Sequence, residues 1–323
     1  MESRQARHAA PSHTSRGSSR TRLRRVIAIL AALVLMAGIV TLAALLAYRH
    51  APSPRPSVRQ PTQSLTALPS SAATPAPPQI VPNDPGTFAA EFTQLENSLH
   101  AKMGVAVSAV GNGQVPLMWG DWQEGPAWST VKVPLVIAAY RQQKPQQVTD
   151  QMKAAITESD NAAAESLWEE LGDPATAAQR VQQILLESGD PTAVESRKLR
   201  PEFTAFGQTI WSLANQVRFT ATAVCNSAND PIFKLMGQVE PNQTWGIGGI
   251  PASEFKGGWG PSPAGKYLVR QIGVLTTSAG KIAVATAAEP ESGSFDDGTH
   301  DLGVVAKWLT DHLAALPAGQ CGR

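Results

Sequence analysis

A serine and a lysine three residues apart, Ser129 and Lys132 in the segment Ala-Trp-Ser-Thr-Val-Lys-Val-Pro-Leu, carry the first chemistry legible in this chain. On a helix, positions i and i+3 share a face. An amine placed there can take the proton of the serine hydroxyl once it is neutral, which calls for partial burial or a second cation nearby. The same residues also fit an N-cap serine beside a solvated lysine. The spacing recurs at Ser253–Lys256 and at Ser278–Lys281, the latter in a predicted strand-to-strand turn where it has no meaning.

Two further stretches add to this one. Ser159-Asp160-Asn161 joins the end of one predicted helix to the start of the next. Ser, Asp and Asn are all favoured at helix N-termini, yet a hydroxyl at Ser159 can shuttle a proton and an amide at Asn161 can hold a substrate. Lys256-Gly257-Gly258-Trp259-Gly260 precedes the late strands. It reads either as a glycine loop or as a strand whose lysine faces the serine and whose backbone N–H completes an oxyanion hole.

The elements that must position these residues follow from periodicity. Phe88, Phe92, Leu95 and Leu99 recur at helical spacing, so a helix opens the folded part. Residues 104–110 and 115–119, separated by Gly-Asn-Gly, predict a strand hairpin. Helical stretches follow at 129–143, 146–157, 162–171, 174–187 and about 207–225, with an irregular segment at 189–206. Strands return at 267–275 and 281–288, and Val304, Val305, Trp308, Leu309 and Leu313 close the chain with an amphipathic helix. The expected class is α/β of the α+β kind: one sheet built from both chain ends, terminal helices over one face, and an all-helical insert between.

In order, Ser129/Lys132, Ser159/Asn161 and Lys256/Gly258 match the Ser-x-x-Lys, Ser-Asp-Asn and Lys-[Ser/Thr]-Gly signature of penicillin-binding proteins and class A β-lactamases. Residues 87–323 therefore resemble the serine β-lactamase and penicillin-binding-protein superfamily. The resemblance implies an antiparallel β-lactamase-like sheet and a set of roles. Ser129 is the acylated nucleophile and Lys132 its base; Ser159 and Lys256 pass a proton to the leaving nitrogen. Lys256 also attracts a substrate carboxylate and lowers the basicity of Lys132. Asn161 binds substrate, and the N–H groups of Ser129 and of Trp259, just past Gly258, stabilise the oxyanion. Three departures stand out. Gly257 replaces the hydroxyl residue of the third motif. The irregular segment offers Glu195 and Glu202 but not the Glu-x-x-Leu-Asn context of a deacylating glutamate. Only 30 residues separate Ser129 from Ser159, so the insert is short.

Before this domain, residues 26–48 form 23 consecutive residues without a charge, about 34 Å as a helix and enough to cross a bilayer. Arg20, Arg22, Arg24 and Arg25 precede the run, which places the N-terminal arm (1–25) in the cytoplasm and the rest outside. The run exceeds a secretory signal core, so a retained single-pass anchor in the cell membrane is expected. Residues 51–86 hold ten Pro and read, with 49–50, as a solvated spacer. Net charge is +1 for all 323 residues, but +7 for residues 1–50 and −7 for 87–323. An acidic folded part argues against nucleic acid as its partner.

Cys225 and Cys321 form a disulfide or remain two thiols. His100, His300 and His312 lack ligand spacing, so neither a metal nor another cofactor is expected. Trp119, Trp122, Trp128 and Trp259 form either an aromatic rim for a sugar or peptide or ordinary core packing. The functional expectation is a membrane-anchored serine acyl-enzyme hydrolase acting on D-alanyl peptides or β-lactam-like amides. The alternatives are an inactive module of the same fold that binds cell-wall fragments or an envelope protein, and an esterase.

Overall fold

The hydrophobic stripe of Phe88, Phe92, Leu95 and Leu99 is the inner face of helix α1 (Pro85–Leu99). In this computed structural model the described residues are 85–111 and 114–322. The expected basic arm, membrane span and almost all of the Pro-rich spacer lie outside them. Among the described residues no helix is long and apolar enough to cross a membrane.

After α1 come β1 (Ala101–Ala109), β2 (Leu117–Trp119) and β3 (Glu124–Pro126). A 3-10 turn (Trp128–Val131) leads into α2 (Lys132–Gln142), followed by α3 (Asp150–Lys153), α4 (Asn161–Glu170) and α5 (Pro174–Glu187). Then come β4 (Ile210–Ser212), α6 (Leu213–Ala223) and α7 (Asp230–Met236). Strands β5 (Glu254–Pro261), β6 (Tyr267–Thr277) and β7 (Gly280–Pro290) precede the closing helix α8 (Phe295–His312). The main sheet has the order β2-β1-β7-β6-β5 with every pair antiparallel. Its central pair, β1 with β7, joins the two ends of the domain, Ala106 lying opposite Ala285.

Both faces of the sheet are covered, which is why β1, β6 and β7 are buried almost throughout. One face carries Val105, Val107, Val284 and Val269 under Phe88 and Phe92 of α1 and Val305, Trp308 and Leu309 of α8. Ala106, Ile272 and Val274 on the other face pack with Leu135, Leu167, Val181 and Phe219 of the inserted helices. The predicted arrangement of sheet and terminal helices is therefore observed.

The insert corrects the reading in three places. It is not all-helical: Ile210-Trp211-Ser212, read as the start of a helix, pairs as β4 with β3. Helix α6 begins only at Leu213, where the Ser212 side chain accepts the Asn215 N–H as an N-cap. The stretch 146–157 is helical only from Asp150, capped by Thr149, and its end widens into a π-helical turn, Ala154–Glu158. Helix α7, seven residues opening on Asp-Pro, was not anticipated. Cys225 and Cys321 are joined as a disulfide, which ties the C-terminal tail to the loop after α6.

Candidate active site

The main sheet ends at β5, whose outer edge abuts the turn that carries Ser129. A side chain at Gly258 would place its Cβ 2.8 Å from both Ser129 N and Thr130 N, so only glycine permits this approach. Gly260 is equally constrained: a Cβ there would fall 2.5 Å from the Trp128 indole, which lies between β5 and Phe203. Lys256, read as either loop or strand, stands on β5, and its neighbours bring the strand against the serine.

Two of the four non-glycine residues with positive φ among the described residues sit here, Trp128 (φ 49°) and Ser159 (φ 59°). A left-handed backbone costs a bulky residue about 1–2 kcal/mol. Such outliers collect where geometry is held for a purpose. Ser159 ends the π-helical turn, and its left-handed backbone starts the chain into α4. Asp160 is the N-cap of α4, its carboxylate accepting the Ala163 N–H at 2.6 Å. The capping preference of the Ser-Asp-Asn triplet is thus met by Asp160 alone, and Ser159 and Asn161 turn toward the lysines.

Lys132 is 1% exposed and Lys256 fully buried, so neither is the solvated lysine of the simpler reading. Lys132 Nζ donates to Ser159 O (2.5 Å) and Asn161 Oδ1 (2.8 Å) and lies 3.4 Å from Ser159 Oγ. Lys256 Nζ donates to Ser159 Oγ and to Gly257 O, both at 2.8 Å. Burial pushes the Lys132 amine down to about 7, against the opposing charge of Asp160. Lys256 is held well below the ordinary lysine range by burial and then by the charge of Lys132. The basicity of Lys132 thus falls chiefly through burial rather than through Lys256, as the resemblance had implied. A neutral Lys132 that spends two N–H groups on Ser159 O and Asn161 Oδ1 keeps its lone pair to accept a proton.

Ser129 is half-buried in a cleft of about 390 Å³ that it shares with Asn161, Glu165, Phe203 and Trp259. Among the described residues the Ser129 hydroxyl makes no hydrogen bond, to Lys132 Nζ or to any other group. Behind it, Thr130 Oγ1 donates to Ala127 O and accepts from Gln216 Nε2. Gln216 Oε1 in turn accepts from the buried guanidinium of Arg270, which also donates to the carbonyls of Gly125, Pro126 and Trp211. This network ties the serine turn to the small β3–β4 sheet. Sequence reasoning missed both Arg270 and Gln216, since an arginine in an apolar strand gives no hint of its partners.

The substrate-facing edge departs from the motif. A Cβ at Gly257 would lie 3.0 Å from the Trp245 indole, so any side chain there would press on an aromatic ring packed beside the strand. Trp245, Trp259 and Phe295 contact one another, with centroids 5.4–6.3 Å apart. Trp259 is half-buried at the cleft, and Trp128, though buried, also lines it, whereas Trp119 and Trp122 serve the core. Glu195 opens onto a separate hollow with Ile210 and Asn215; Glu202 lines the cleft. Glu165, four residues after Asn161 on α4, also lines it, and that i,i+4 spacing was the overlooked signal. Among the described residues no cluster of His, Cys, Asp or Glu could hold a metal ion.

No family model matches the chain, and no curated protein matches it by sequence. Solved structures do match. TLA-3 extended-spectrum β-lactamase is 15% identical with a TM-score of 0.58, the match covering 71% of this chain and 99% of that one. A class A β-lactamase from Mycobacterium abscessus is 16% identical with a TM-score of 0.55, over 70% and 99%. A β-lactamase from Streptosporangium roseum is 16% identical with a TM-score of 0.52, over 72% and 100%. The domain has the β-lactamase-like fold, spanning nearly the full length of these neighbours.

Proposed function

We propose that this protein is a serine acyl-enzyme hydrolase of the β-lactamase and penicillin-binding type, acting on D-alanyl peptides or β-lactam-like amides. We place it outside the membrane, anchored by residues 26–48. One observation carries this reading: two desolvated amines, Lys132 and Lys256, meet on the hydroxyl of Ser159 beside a serine in a strained turn. In this reading neutral Lys132 takes the proton of Ser129 as Oγ attacks the amide carbon. The N–H groups of Ser129 and Trp259 stabilise the oxyanion, since β5 abuts the first turn at Gly258. Ser159, bonded to Lys256, hands a proton to the leaving nitrogen.

The full-length chain, treated with a reporter β-lactam, is expected to gain the mass of the opened lactam, and Ser129→Ala to gain nothing. A parent that stays unmodified and also leaves several acylating probes intact overturns the reading. The second reading, a non-catalytic module that binds cell-wall fragments or an envelope protein, is favoured by Gly257, which lacks the motif hydroxyl and leaves Trp245 crowding its place on the strand. It predicts ligand retention without any covalent adduct.

A further inference from the structure

Hydrolysis of an acyl-serine needs a base to activate water. Two carboxylates, Glu165 and Glu202, line the same cleft as Ser129. The Glu202 side chain is 56% exposed and engaged by the Arg200 guanidinium at 3.1 and 3.2 Å. The Glu165 side chain is 27% exposed and stands on a helix rather than in the irregular segment. It occupies the same face of α4 as Asn161, whose amide oxygen is bonded to Lys132. Lys198, reaching over from the segment after α5, fixes its Oε1 at 3.0 Å. A carboxylate held on a rigid element at the cleft wall, with its second oxygen outside this ion pair, is placed to receive a proton from water in the cleft.

We propose that Glu165 is the general base of deacylation, a role that rests on the acyl-enzyme reading above. Glu165 takes a proton from water; the hydroxide oxygen bonds to the acyl carbon. The Ser129 ester bond then breaks, and Ser129 Oγ recovers the proton that Glu165 took. The acid leaves and the carboxylate is restored, so water is the sole co-reactant.

The test uses the full-length chain and a reporter β-lactam, with formation and loss of the adduct followed by intact mass. Glu165→Gln is expected to acylate within about 2-fold of the parent and to lose the adduct about 10²-fold more slowly, the scale of general-base catalysis. Glu202→Gln is expected to clear at the parental rate. Hydroxylamine, a nucleophile that needs no base, should clear the E165Q and parental adducts equally fast. Lys198→Met breaks the ion pair but keeps the carboxylate, so clearance should stay within a few-fold. Should E165Q melt early, Glu165→Asp is the second variant and should restore part of the clearance.

Equal clearance by parent and E165Q overturns the proposal, as does slowing by K198M as large as that by E165Q, which would make the pair a mere latch. A parental adduct that never clears overturns it and leaves the acyl-enzyme reading standing. No adduct in either the parent or E165Q, with the lactam left unopened, overturns both.

Discussion

Two walls meet at Ser129, and they are built in opposite ways. The inner wall is polar, buried and bonded: Lys132, Lys256, Ser159 and Asn161 satisfy one another within 2.5–3.4 Å. The outer wall is aromatic and half-exposed, with Gly257 stripped of a side chain and Trp245 and Trp259 set at 74° to each other. Burying two amines costs free energy that their hydrogen bonds offset only in part, so the inner wall is a costly arrangement. The outer wall carries no such cost and has departed from the motif. The contrast separates the two walls by motif: the inner one keeps the residue types of the three motifs, and the outer one departs from them at Gly257.

Breaking the inner wall should have the larger effect. Lys132→Met is expected to cut acylation by about 10²–10⁴-fold, the range for a general base. In the parent, acylation should rise with pH and level off above about 7, where the Lys132 amine is neutral. The same shift governs stability. The folded amine titrates near 7 and the unfolded one near 10.5, so between these values the unfolded chain holds more protons. Stability therefore rises with pH across that window and carries the full penalty below it. Melting curves from pH 6 to 10 should climb less steeply for K132M than for the parent. Parallel curves would mean that the amine is not buried as described.

Altering the outer wall should do less. Gly257→Thr forces a Cβ to 3.0 Å from Trp245 and is expected to destabilise by about 1–3 kcal/mol, the usual result of overpacking. Acylation by an anionic β-lactam should not improve. In Gly257→Thr combined with Trp245→Leu the hydroxyl gains room, and the same rate should rise several-fold. A gain from G257T alone, with no loss in melting temperature, would show that Trp245 does not exclude the hydroxyl and would erase the contrast between the walls.

The sheet and its covering helices were legible because their signals are local and periodic: Phe88 through Leu99 at helical spacing, and the two late strands. The three motifs were legible as residue types, and β5 brings Lys256 to Ser159 as their order implied. The rest depended on partners distant in sequence. Ile210-Trp211-Ser212 becomes a strand only because Glu124-Gly125-Pro126 lies beside it. The π-helical turn before Ser159 is one residue wider than the 3.6-residue pattern on which a helix is read. Arg270 looks like a charge misplaced in a strand until three carbonyls and Gln216 surround it. Glu165 stands on a helix, outside the irregular segment in which a deacylating glutamate would be sought, and Glu195 in that segment turns away from the cleft.

The bond between Cys225 and Cys321 closes a loop spanning 96 positions of sequence, enclosing α7, β5, β6, β7 and α8. Lys281 and Gly319 exchange two backbone hydrogen bonds, 2.7 and 3.0 Å, just before that bond. Lys256 and the aromatic wall thus belong to a segment stapled shut at both ends. A protease that nicks this segment would yield fragments that migrate together on a non-reducing gel and separate only after thiol treatment. The cut molecule would retain its lysine-bearing strand beside Ser129, and scission alone would not release the two sides of the cleft from each other.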